Sequence, residues 1–371
     1  MKILIAVRIL KSTQSGTPRL VLQHTKYLSS KGHKVYVVAQ RINRKAVRKN
    51  GGKPIKVPVW PVKGMFHRLF FDKMVRFYAF LINPKLVLGH GDILKQDILY
   101  LHNCVHYAHE LTHGKPLPDD MAVGQIHGKL LKEQNFRLLV CNSHLMKNDM
   151  RERYGIVDEK LEVIYPEHDA DKFNIKDKPA KRANMRSQMG YSDENVVIGL
   201  ITSGDFKKRN VQLLIELMDR LHNAHNLKNV QCFVAGKNRD PYYQDEISKR
   251  GLDEVFTFQP SIKEVENYYF ATDIFVLPAW VEEFGRSVVE AMACGLPVVV
   301  SKYVGSAELI EGEARDYVLE PKLSQFEAKI LDLVGNQELR NTLGDLNAKT
   351  VSAYDSQKQN EKHNKLFERY S

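Results

Sequence analysis

Two glutamates, Glu282 and Glu290, have the residue type and spacing that point most directly to chemistry in this chain. Glu282 follows an apolar, strand-like stretch, Gly285 comes next, and Glu290 falls within a helix-like stretch. The free N–H groups at the start of a helix favour an anionic group such as a diphosphate. Carboxylates on both sides of that anion accept hydrogen bonds from hydroxyl groups. The pattern therefore indicates a ligand with central phosphates and hydroxyl-rich rings on both sides, as in a nucleotide-sugar.

A basic segment, SGDFKKRN at residues 203–210, is the second candidate for the same site. It follows a predicted strand and precedes a predicted helix, with Gly204 near its start and Lys208 and Arg209 near its end. Cations in that position neutralise a diphosphate leaving group as its charge develops. An ordinary solvated basic turn is the alternative that the spacing leaves open.

Alternating strand-like and helix-like segments must position these residues. The strand-like sequences are MKILIAV, HKVYVVAQ, IKVPVW, KLVLGH, DILYLHN, RLLVCNS and LEVIY in the first half, and NVVIGLITSG, VQCFVAG, EVFTFQP, DIFVLP and VVVS in the second. Helix-like sequences separate many of them, which predicts βαβ units and parallel sheets. Pro58 makes IKVPVW an edge strand. Open sheets of this class bind ligands at the C-terminal ends of their strands, where both candidate segments are predicted to lie.

The length of 371 residues suggests two domains. We predict an N-terminal domain over residues 1–165, a C-terminal domain over 166–354 and a last helix over 355–371. We expect no transmembrane helix, because the chain has no run of 18 apolar residues, and we interpret MKILIAVRILK as a buried strand rather than a signal peptide. The four cysteines are scattered, which favours reduced thiols in a cytoplasmic protein.

Positive charge is concentrated in the first half of the chain. Residues 1–100 contain 20 Lys and Arg against 3 Asp and Glu, and residues 1–165 carry a net charge of +16 against −5 for the remainder. A basic half implies an anionic partner. Within it, residues 63–80 interleave basic and aromatic side chains, which suits an anionic membrane surface or a nucleic acid. A partly buried helix with a solvated basic face is the ordinary alternative.

The segment PAWVEEFGRSVVEAMACGLPVVV, residues 278–300, resembles the donor-site signature of the retaining glycosyltransferases of family 4. The usual signature begins E-G-F-G and continues with E-A-M-A-x-G-x-P-V. This chain departs from it at Glu283, where a glycine is usual. The resemblance implies an α/β chain with the GT-B fold, in which two Rossmann-like, doubly wound domains face each other across a cleft. In that family the last helix often crosses back to the first domain, which is the expectation for residues 355–371.

The resemblance also implies roles for the candidate residues of the second half. Glu282 holds hydroxyls of the transferred sugar, Glu290 holds the ribose, and Arg209 and Lys208 hold the diphosphate. Further donor-binding positions follow from the same loops and from the helix start: Gly204, Gly236, Gly285, Arg286 and Ser287. The family usually has a glycine where this chain has Asn210.

In the first half, the resemblance places His102 where a family histidine contacts the donor sugar. His90 ends the preceding predicted strand, so the two histidines are expected at one rim. Gly16 matches a glycine-rich loop that closes over the donor, although this chain has Ser15 where a second glycine is usual. A histidine without a functional role is the ordinary alternative for His102.

Metal binding is not expected. His106, His109 and His113 recur at helical spacing, but no Cys or carboxylate completes a recognisable set of ligands. The sequence Asp169-Ala170-Asp171 mimics the D-x-D metal motif of another glycosyltransferase class, yet its position fits the interdomain turn of family 4.

The resemblance implies a retaining, metal-independent hexosyltransferase whose donor substrate is a nucleotide-diphosphate sugar and which needs no cofactor. Within the family, the whole chain most resembles bacterial enzymes that assemble the lipopolysaccharide core. The expected acceptor is an anionic or phosphorylated glycan or glycolipid, and the basic N-terminal domain is expected to bind it. We expect this chain to be cytoplasmic and peripherally attached to the inner face of the cytoplasmic membrane, an anionic surface that the same basic domain contacts. We expect no nucleic acid as partner. A nucleotide-sugar epimerase of the same fold and a non-enzymatic, basic nucleic-acid-binding protein are the alternatives.

Overall fold

The computed structural model describes residues 1–11, 16–238, 240–260 and 262–370. The predicted turn STQSG, with Ser15, therefore lies outside the described residues except for Gly16. Arg239 and Ser261 also lie outside them. The chain divides into two compact units. Unit 1 comprises Met1–Ile164 and the residues from Asn360 onward, and unit 2 comprises Tyr165–Gln359.

Unit 1 is a doubly wound parallel sheet. Its strands are β1 (Lys2–Ala6), β2 (Ile9–Leu10), β3 (Lys34–Ala39), β4 (Arg41–Ile42), β5 (Lys53–Lys56), β6 (Leu86–Gly89), β7 (Ile98–Tyr100), β8 (Leu138–Cys141) and β9 (Leu161–Val163). The main sheet has the order β5-β3-β1-β6-β7-β8-β9, and β2 pairs with β4 beside it. All residues of β7 and β8 are buried, as expected when both faces of a parallel sheet are covered.

Helices cover this sheet. They are α1 (Gly16–Ser30), α2 (Arg44–Lys49), α3 (Met65–Ile82), α4 (Val105–His113), α5 (Ala122–Glu133) and α6 (His144–Tyr154). The strand order runs outward in both directions from the β1–β6 pair, so the switch in winding lies between these two strands. The crevice outside their C-terminal ends is the expected ligand position in such a sheet.

The strand predicted over IKVPVW is displaced in the structure. β5 ends at Lys56 and pairs with β3 from Lys53 onward, and residues 57–60 are not strand. Pro54 lies within this strand, which is possible because β5 is at the edge of the sheet and needs no ladder donor on its outer side. The prediction of an edge strand is correct, and its position along the chain is wrong.

Unit 2 repeats the doubly wound plan. Its strands are β10 (Val196–Ile201), β11 (Val230–Ala235), β12 (Phe256–Gln259), β13 (Ile274–Leu277), β14 (Val298–Ser301) and β15 (Val318–Leu319). They are parallel in the order β12-β11-β10-β13-β14-β15, so the winding reverses between β10 and β13. All residues of these two central strands are buried. The helices are α7 (Lys178–Met189), α8 (Val211–Asp219), α9 (Tyr242–Lys249), α10 (Val265–Ala271), α11 (Arg286–Ala293), α12 (Leu323–Gly335) and α13 (Gln337–Val351).

Helix α7 forms in the stretch NIKDKPAKRANMRSQ, which the sequence indicated only as polar. Arg186 on this helix is buried, and its guanidinium donates to Asp273 Oδ2 at 3.0 Å and to the carbonyl of Ala271 at 3.2 Å. Asp273 lies just before β13, so these bonds attach α7 to the sheet. Hydrophobic periodicity does not reveal a helix that is attached through a buried arginine.

The last helix, α14 (Ser356–Tyr370), belongs to unit 1 from Asn360 onward. Phe367 is buried in the unit 1 core, and its ring packs edge-on against His24 with 5.0 Å between ring centroids. His363 lies 3.3 Å from the hydroxyl of Tyr100 on β7.

No helix in the described part of the chain is long and apolar enough to cross a membrane. The four cysteines are buried free thiols.

Candidate active site

The loop after β13 carries Glu282 to the β10–β13 switch point of unit 2. Its backbone pairs with the loop after β14, because the Glu282 N–H donates to the carbonyl of Tyr303 at 2.9 Å and Gly305 N–H donates to the Glu282 carbonyl at 2.9 Å. Gly285 has φ +87°, and a Cβ there would lie 2.8 Å from Val304 Cγ1. Only glycine fits this turn without strain, so its backbone can reverse and begin α11 at Arg286.

The basic segment after β10 meets this loop. Lys208 Nζ lies 2.6 Å from Glu283 Oε2, and Arg209 forms an ion pair with Glu282. The Trp280 N–H also donates to the Lys208 carbonyl at 3.0 Å, which joins the two loops through their backbones. Two predicted cations and two carboxylates thus lie together at the C-terminal ends of β10 and β13.

Little solvent reaches these ion pairs. The side chains of Lys208 and Glu283 are 14% and 4% exposed, and those of Arg209 and Glu282 are 13% and 17% exposed. Burial raises the pKa of Glu282, and the neighbouring Arg209 and Lys208 oppose that rise. A site with this little water strengthens electrostatic interactions with a bound ligand.

Left-handed backbone shapes the basic segment. Asn210 precedes the first residue of α8 with φ +53°, and Asp205 has φ +57°. Asn210 stands where the family usually has glycine, and the structure gives the reason that either residue fits: asparagine tolerates this conformation better than most residues. Gly204 has φ +132°, and a Cβ there would lie 2.6 Å from the carbonyl oxygen of Lys237.

Gly236 follows β11 directly, at a point where the backbone comes close to the loop after β10. A Cβ at Gly236 would lie 2.8 Å from Thr202 Cγ2 and 3.1 Å from the Thr202 carbonyl oxygen. The predicted glycines therefore allow close approach between loops of unit 2.

Glu290 lies on α11, as the sequence predicted. The hydroxyl of Tyr269 on α10 donates to Glu290 Oε2 at 3.0 Å, and Tyr269 is fully buried. Arg286 and Ser287 occupy the first turn of the helix, which has no acidic residue in that turn. The first N–H groups of a helix have no intrahelical acceptor, so they are available to an anion.

Two predicted site residues belong to unit 1. His102 follows β7, and its Nε2 lies 3.1 Å from Nδ1 of His90. Burial lowers the pKa of His102 to about 4, so its imidazole is neutral near pH 7. Gly16 is the first residue of α1, and no atom of the described residues outside its own helix backbone and chain neighbours would lie within 4 Å of an added Cβ. The described residues thus give no packing reason for a glycine at that position.

Two segments contain residue types that could bind a metal ion, although the sequence predicts no metal site in either: the histidine series at residues 106–113 and the sequence Asp169-Ala170-Asp171. Within the described residues, no group of three or more His, Cys, Asp or Glu is placed to hold a metal ion. Of the residues in these segments, His106 is instead 2.9 Å from the hydroxyl of Tyr154, and His113 Nδ1 lies 3.3 Å from the carbonyl oxygen of His109.

Glu283 is the residue whose importance the sequence did not reveal. It appeared only as a departure from the family signature, whereas the structure buries it against Lys208. Its position next to Glu282, a predicted ligand of the sugar hydroxyls, was the available signal, but its partner Lys208 lies 75 residues away and no spacing rule connects the two.

Comparison with protein families assigns both halves of the chain. Residues 184–350 match the family of glycosyl transferases group 1, and residues 14–172 match glycosyltransferase family 4. The chain thus consists of a glycosyltransferase family 4 domain followed by a glycosyl transferases group 1 domain. The two matched ranges cover most of the two units. Residues 184–350 contain Glu282, Glu290 and the basic segment.

Related sequences agree with this assignment. An uncharacterized glycosyltransferase of Methanocaldococcus jannaschii is 28% identical over 186 residues, which are 50% of this chain and 47% of the relative. A D-inositol 3-phosphate glycosyltransferase of Corynebacterium jeikeium is 27% identical over 282 residues, or 71% of this chain and 66% of the relative. The chain thus spans about half to two thirds of the length of these curated relatives.

Solved structures confirm the predicted fold of the chain. WaaG, a glycosyltransferase involved in lipopolysaccharide biosynthesis, has a TM-score of 0.78 at 18% identity, covering 97% of this chain and 98% of its own. HepE of Anabaena in complex with UDP-glucose has a TM-score of 0.76 at 18% identity, covering both chains completely. At this identity the likeness establishes the GT-B fold alone.

Proposed function

We propose that this protein is a retaining hexosyltransferase that takes its donor, a nucleotide-diphosphate hexose, at the β10–β13 switch point of unit 2. The observation that carries the proposal is the pairing of Arg209 with Glu282 and of Lys208 with Glu283, beside the start of α11. In such a site, cations can bind a diphosphate and carboxylates can accept hydrogen bonds from sugar hydroxyls. Both kinds of group lie on two adjacent loops that solvent reaches poorly.

The reaction needs no nucleophile from the protein. The bond between the anomeric carbon and the diphosphate oxygen breaks, and the acceptor hydroxyl oxygen bonds to that carbon on the same face. The acceptor proton passes to the departing diphosphate oxygen, so configuration is retained. Protein groups then contribute position and charge stabilisation.

Each site residue has a defined part in this proposal. Glu282 accepts hydrogen bonds from hydroxyls of the hexose, and Glu290 accepts them from the ribose. Arg209 and Lys208 neutralise the charge that develops on the diphosphate, with the N–H groups at Arg286 as further donors. His102, which burial keeps neutral, contacts the hexose.

Metal independence follows from the same cations. Because Lys208 and Arg209 take the place of a divalent ion at the diphosphate, we expect full transfer in excess EDTA, with no cofactor besides the donor. Loss of transfer in EDTA and its recovery with Mn²⁺ would contradict this part of the proposal.

The acceptor we propose is an anionic or phosphorylated glycan of the lipopolysaccharide core or another cell-surface glycan. The D-inositol 3-phosphate glycosyltransferase among the relatives has a phosphorylated compound in its name, and WaaG is involved in lipopolysaccharide biosynthesis. The strong positive charge of residues 1–165 supports an anionic acceptor.

Peripheral attachment to an anionic membrane, on its cytoplasmic side, is the second part of the proposal. Helix α3 exposes Phe66, Phe77 and Phe80, of which Phe80 is 83% exposed, together with Lys73 and Arg76. Aromatic side chains between cations suit the headgroup region of an anionic bilayer. We expect the chain to sediment with phosphatidylglycerol vesicles at low salt and to be released by added salt.

A screen of nucleotide-sugars by thermal shift, followed by a transfer assay, tests the donor proposal. We expect one nucleotide-diphosphate hexose to raise the melting temperature and to be consumed faster when an acceptor glycan is present. If no nucleotide-sugar stabilises the chain, the proposed donor site is wrong.

A further inference from the structure

Unit 1 has a cavity of about 320 Å³ that plays no part in the proposed donor site. Its polar lining residues are Arg8, Gln40, Arg41, Lys63, His67 and Arg68. Arg8 follows β1 and Arg41 follows β3, so the cavity opens at the C-terminal ends of these strands. This is beside the β1–β6 switch point, where doubly wound sheets bind ligands.

Positive charge in this cavity exceeds the negative charge beside it. Asp92 Oδ1 lies 3.4 Å from Arg8 Nε and 3.3 Å from Arg68 Nη1, so one carboxylate serves two guanidinium groups. Each guanidinium has five N–H donors, and a single shared oxygen uses few of them. Arg41 and Lys63 lie at the exposed rim, and in the described part of the chain neither has a carboxylate within ion-pair distance.

The start of α3 adds to the same positive potential. Gly64 lines the cavity immediately before this 18-residue helix, which has no acidic residue in its first turn and no side-chain cap. The positive end of the helix dipole therefore lies at the cavity wall without an internal counter-charge.

The titration behaviour of the lining agrees with this geometry. Burial lowers the pKa of His67, and the charges of Arg8, Arg68 and Arg41 lower it further. Burial also lowers the pKa of Arg68, although Asp92 opposes the change. After burial, the charge of Arg8 contributes to the lowered pKa of both groups.

We propose that this cavity is the subsite for a phosphate monoester on the acceptor sugar. Three arginines present planar donor forks that match phosphate oxygens. Ile9, Val59 and Ala122 line the remainder and give an apolar surface for a sugar ring. The volume is at the lower end of the range for ligand sites, which suits a single phosphorylated sugar residue. The assignment of this ligand to an acceptor rests on the proposed function.

Calorimetric titration of the intact chain with glucose 6-phosphate, inorganic phosphate and glucose, at constant low ionic strength, tests the proposal. The pocket variant is Arg41→Gln/Lys63→Gln, which removes two exposed cations and leaves the pairs with Asp92 in place. The matched control is Lys45→Gln/Arg48→Gln on α2, which makes the same charge change on exposed residues outside the cavity lining.

We expect the wild type to bind both phosphates and not glucose. The pocket variant should bind glucose 6-phosphate about tenfold or more weakly, since each lost contact is a charge-assisted hydrogen bond. The control should keep the wild-type affinity. Equal affinities in the two variants, or no binding of phosphate by the wild type, would overturn the proposal.

A second arm of the experiment separates a soluble phosphosugar from a lipid headgroup. Both variants are sedimented with phosphatidylglycerol vesicles, and a pocket variant that loses only vesicle binding would overturn the assignment to a phosphosugar. The binding assay uses no donor. A chain that binds glucose 6-phosphate at this cavity but transfers no sugar would therefore refute the transferase proposal. The phosphosugar site would stand, and its assignment to an acceptor would fall.

Discussion

The two units are both doubly wound parallel sheets, but the charged residues at their switch points are arranged differently. In unit 2, the loops at the switch point pair two cations with separate carboxylates, Lys208 with Glu283 and Arg209 with Glu282. In unit 1, Arg8 and Arg68 share Asp92, and Arg41 and Lys63 add charge without a partner acid in the described residues. A balanced site suits a ligand that has both hydroxyls and a diphosphate, whereas an unbalanced one suits an anion.

The interiors differ as well. Unit 1 buries His24, His90 and His363 around Tyr100, with His24 and Tyr100 4.8 Å apart between ring centroids. The hydrophobic core of unit 2 consists of aliphatic and aromatic residues over its central strands, and this unit buries two histidines, His168 and His222. We therefore expect the stability of unit 2 to depend mainly on its buried ion pairs. We expect the stability of unit 1 to depend mainly on its buried histidines remaining unprotonated.

The largest expected effect concerns the buried pair of unit 2. Lys208→Met removes the cation that lies 2.6 Å from the buried Glu283 carboxylate, and we expect a loss of about 3–5 kcal/mol in the free energy of unfolding. The double variant Lys208→Met/Glu283→Met should recover most of that loss, because the buried carboxylate is removed together with the cation. Urea unfolding measures both, with Arg41→Gln as an exposed control in unit 1 that should change little. Wild-type stability in Lys208→Met would contradict the charge pairing.

Acid should weaken unit 1 more than unit 2. Burial lowers the pKa of His363 to about 4, and it lowers the pKa of His24 well below the ordinary value, with the charges of His363 and His90 adding to the effect. The unfolded chain takes up protons near pH 6.5 and the folded unit does not, so stability present above that pH is lost as pH falls toward 4. One fully suppressed histidine accounts for about 3 kcal/mol at the lower end.

Hydrogen exchange of the β1 and β10 amides at a series of pH values resolves the two units. His24 has no hydrogen-bond partner on either ring nitrogen among the described residues, so His24→Phe should make the pH dependence of β1 shallower. His144→Gln, at an exposed position, is the control and should leave it unchanged. Equal acid sensitivity of β1 and β10 in the wild type would contradict the expectation that acid destabilises unit 1 more than unit 2.

A smaller effect is expected from the backbone of the basic segment. Ala in place of Asn210 must adopt φ near +53°, which costs about 1–2 kcal/mol for a residue with an ordinary side chain. Asn210→Gly should be close to neutral, because glycine adopts this conformation freely. Denaturant unfolding compares the two variants, and equal stability of the alanine and glycine variants would show that the left-handed turn is not needed.

The sequence predicted the features of this molecule that depend on local pattern. Buried strands, the Gly285 turn and the start of α11 follow from apolar runs and backbone chemistry, and the structure has them at the predicted places. Features that depend on distant partners were not predictable. Helix α7 is attached through Arg186 and Asp273, and Glu283 meets Lys208, in each case across many residues of intervening chain.

The glutamates of unit 2 provide the most direct test of the account. Turnover and nucleotide affinity are measured for Glu282→Gln, Glu290→Gln and the exposed control Glu313→Gln, with the nucleotide-sugar that stabilises the wild type most. We predict that Glu282→Gln lowers turnover about a hundredfold, as expected for the loss of one transition-state partner, and that Glu290→Gln mainly weakens nucleotide binding. The control should match the wild type. Near-normal turnover and affinity in both site variants would contradict the assignment of the donor site to these loops.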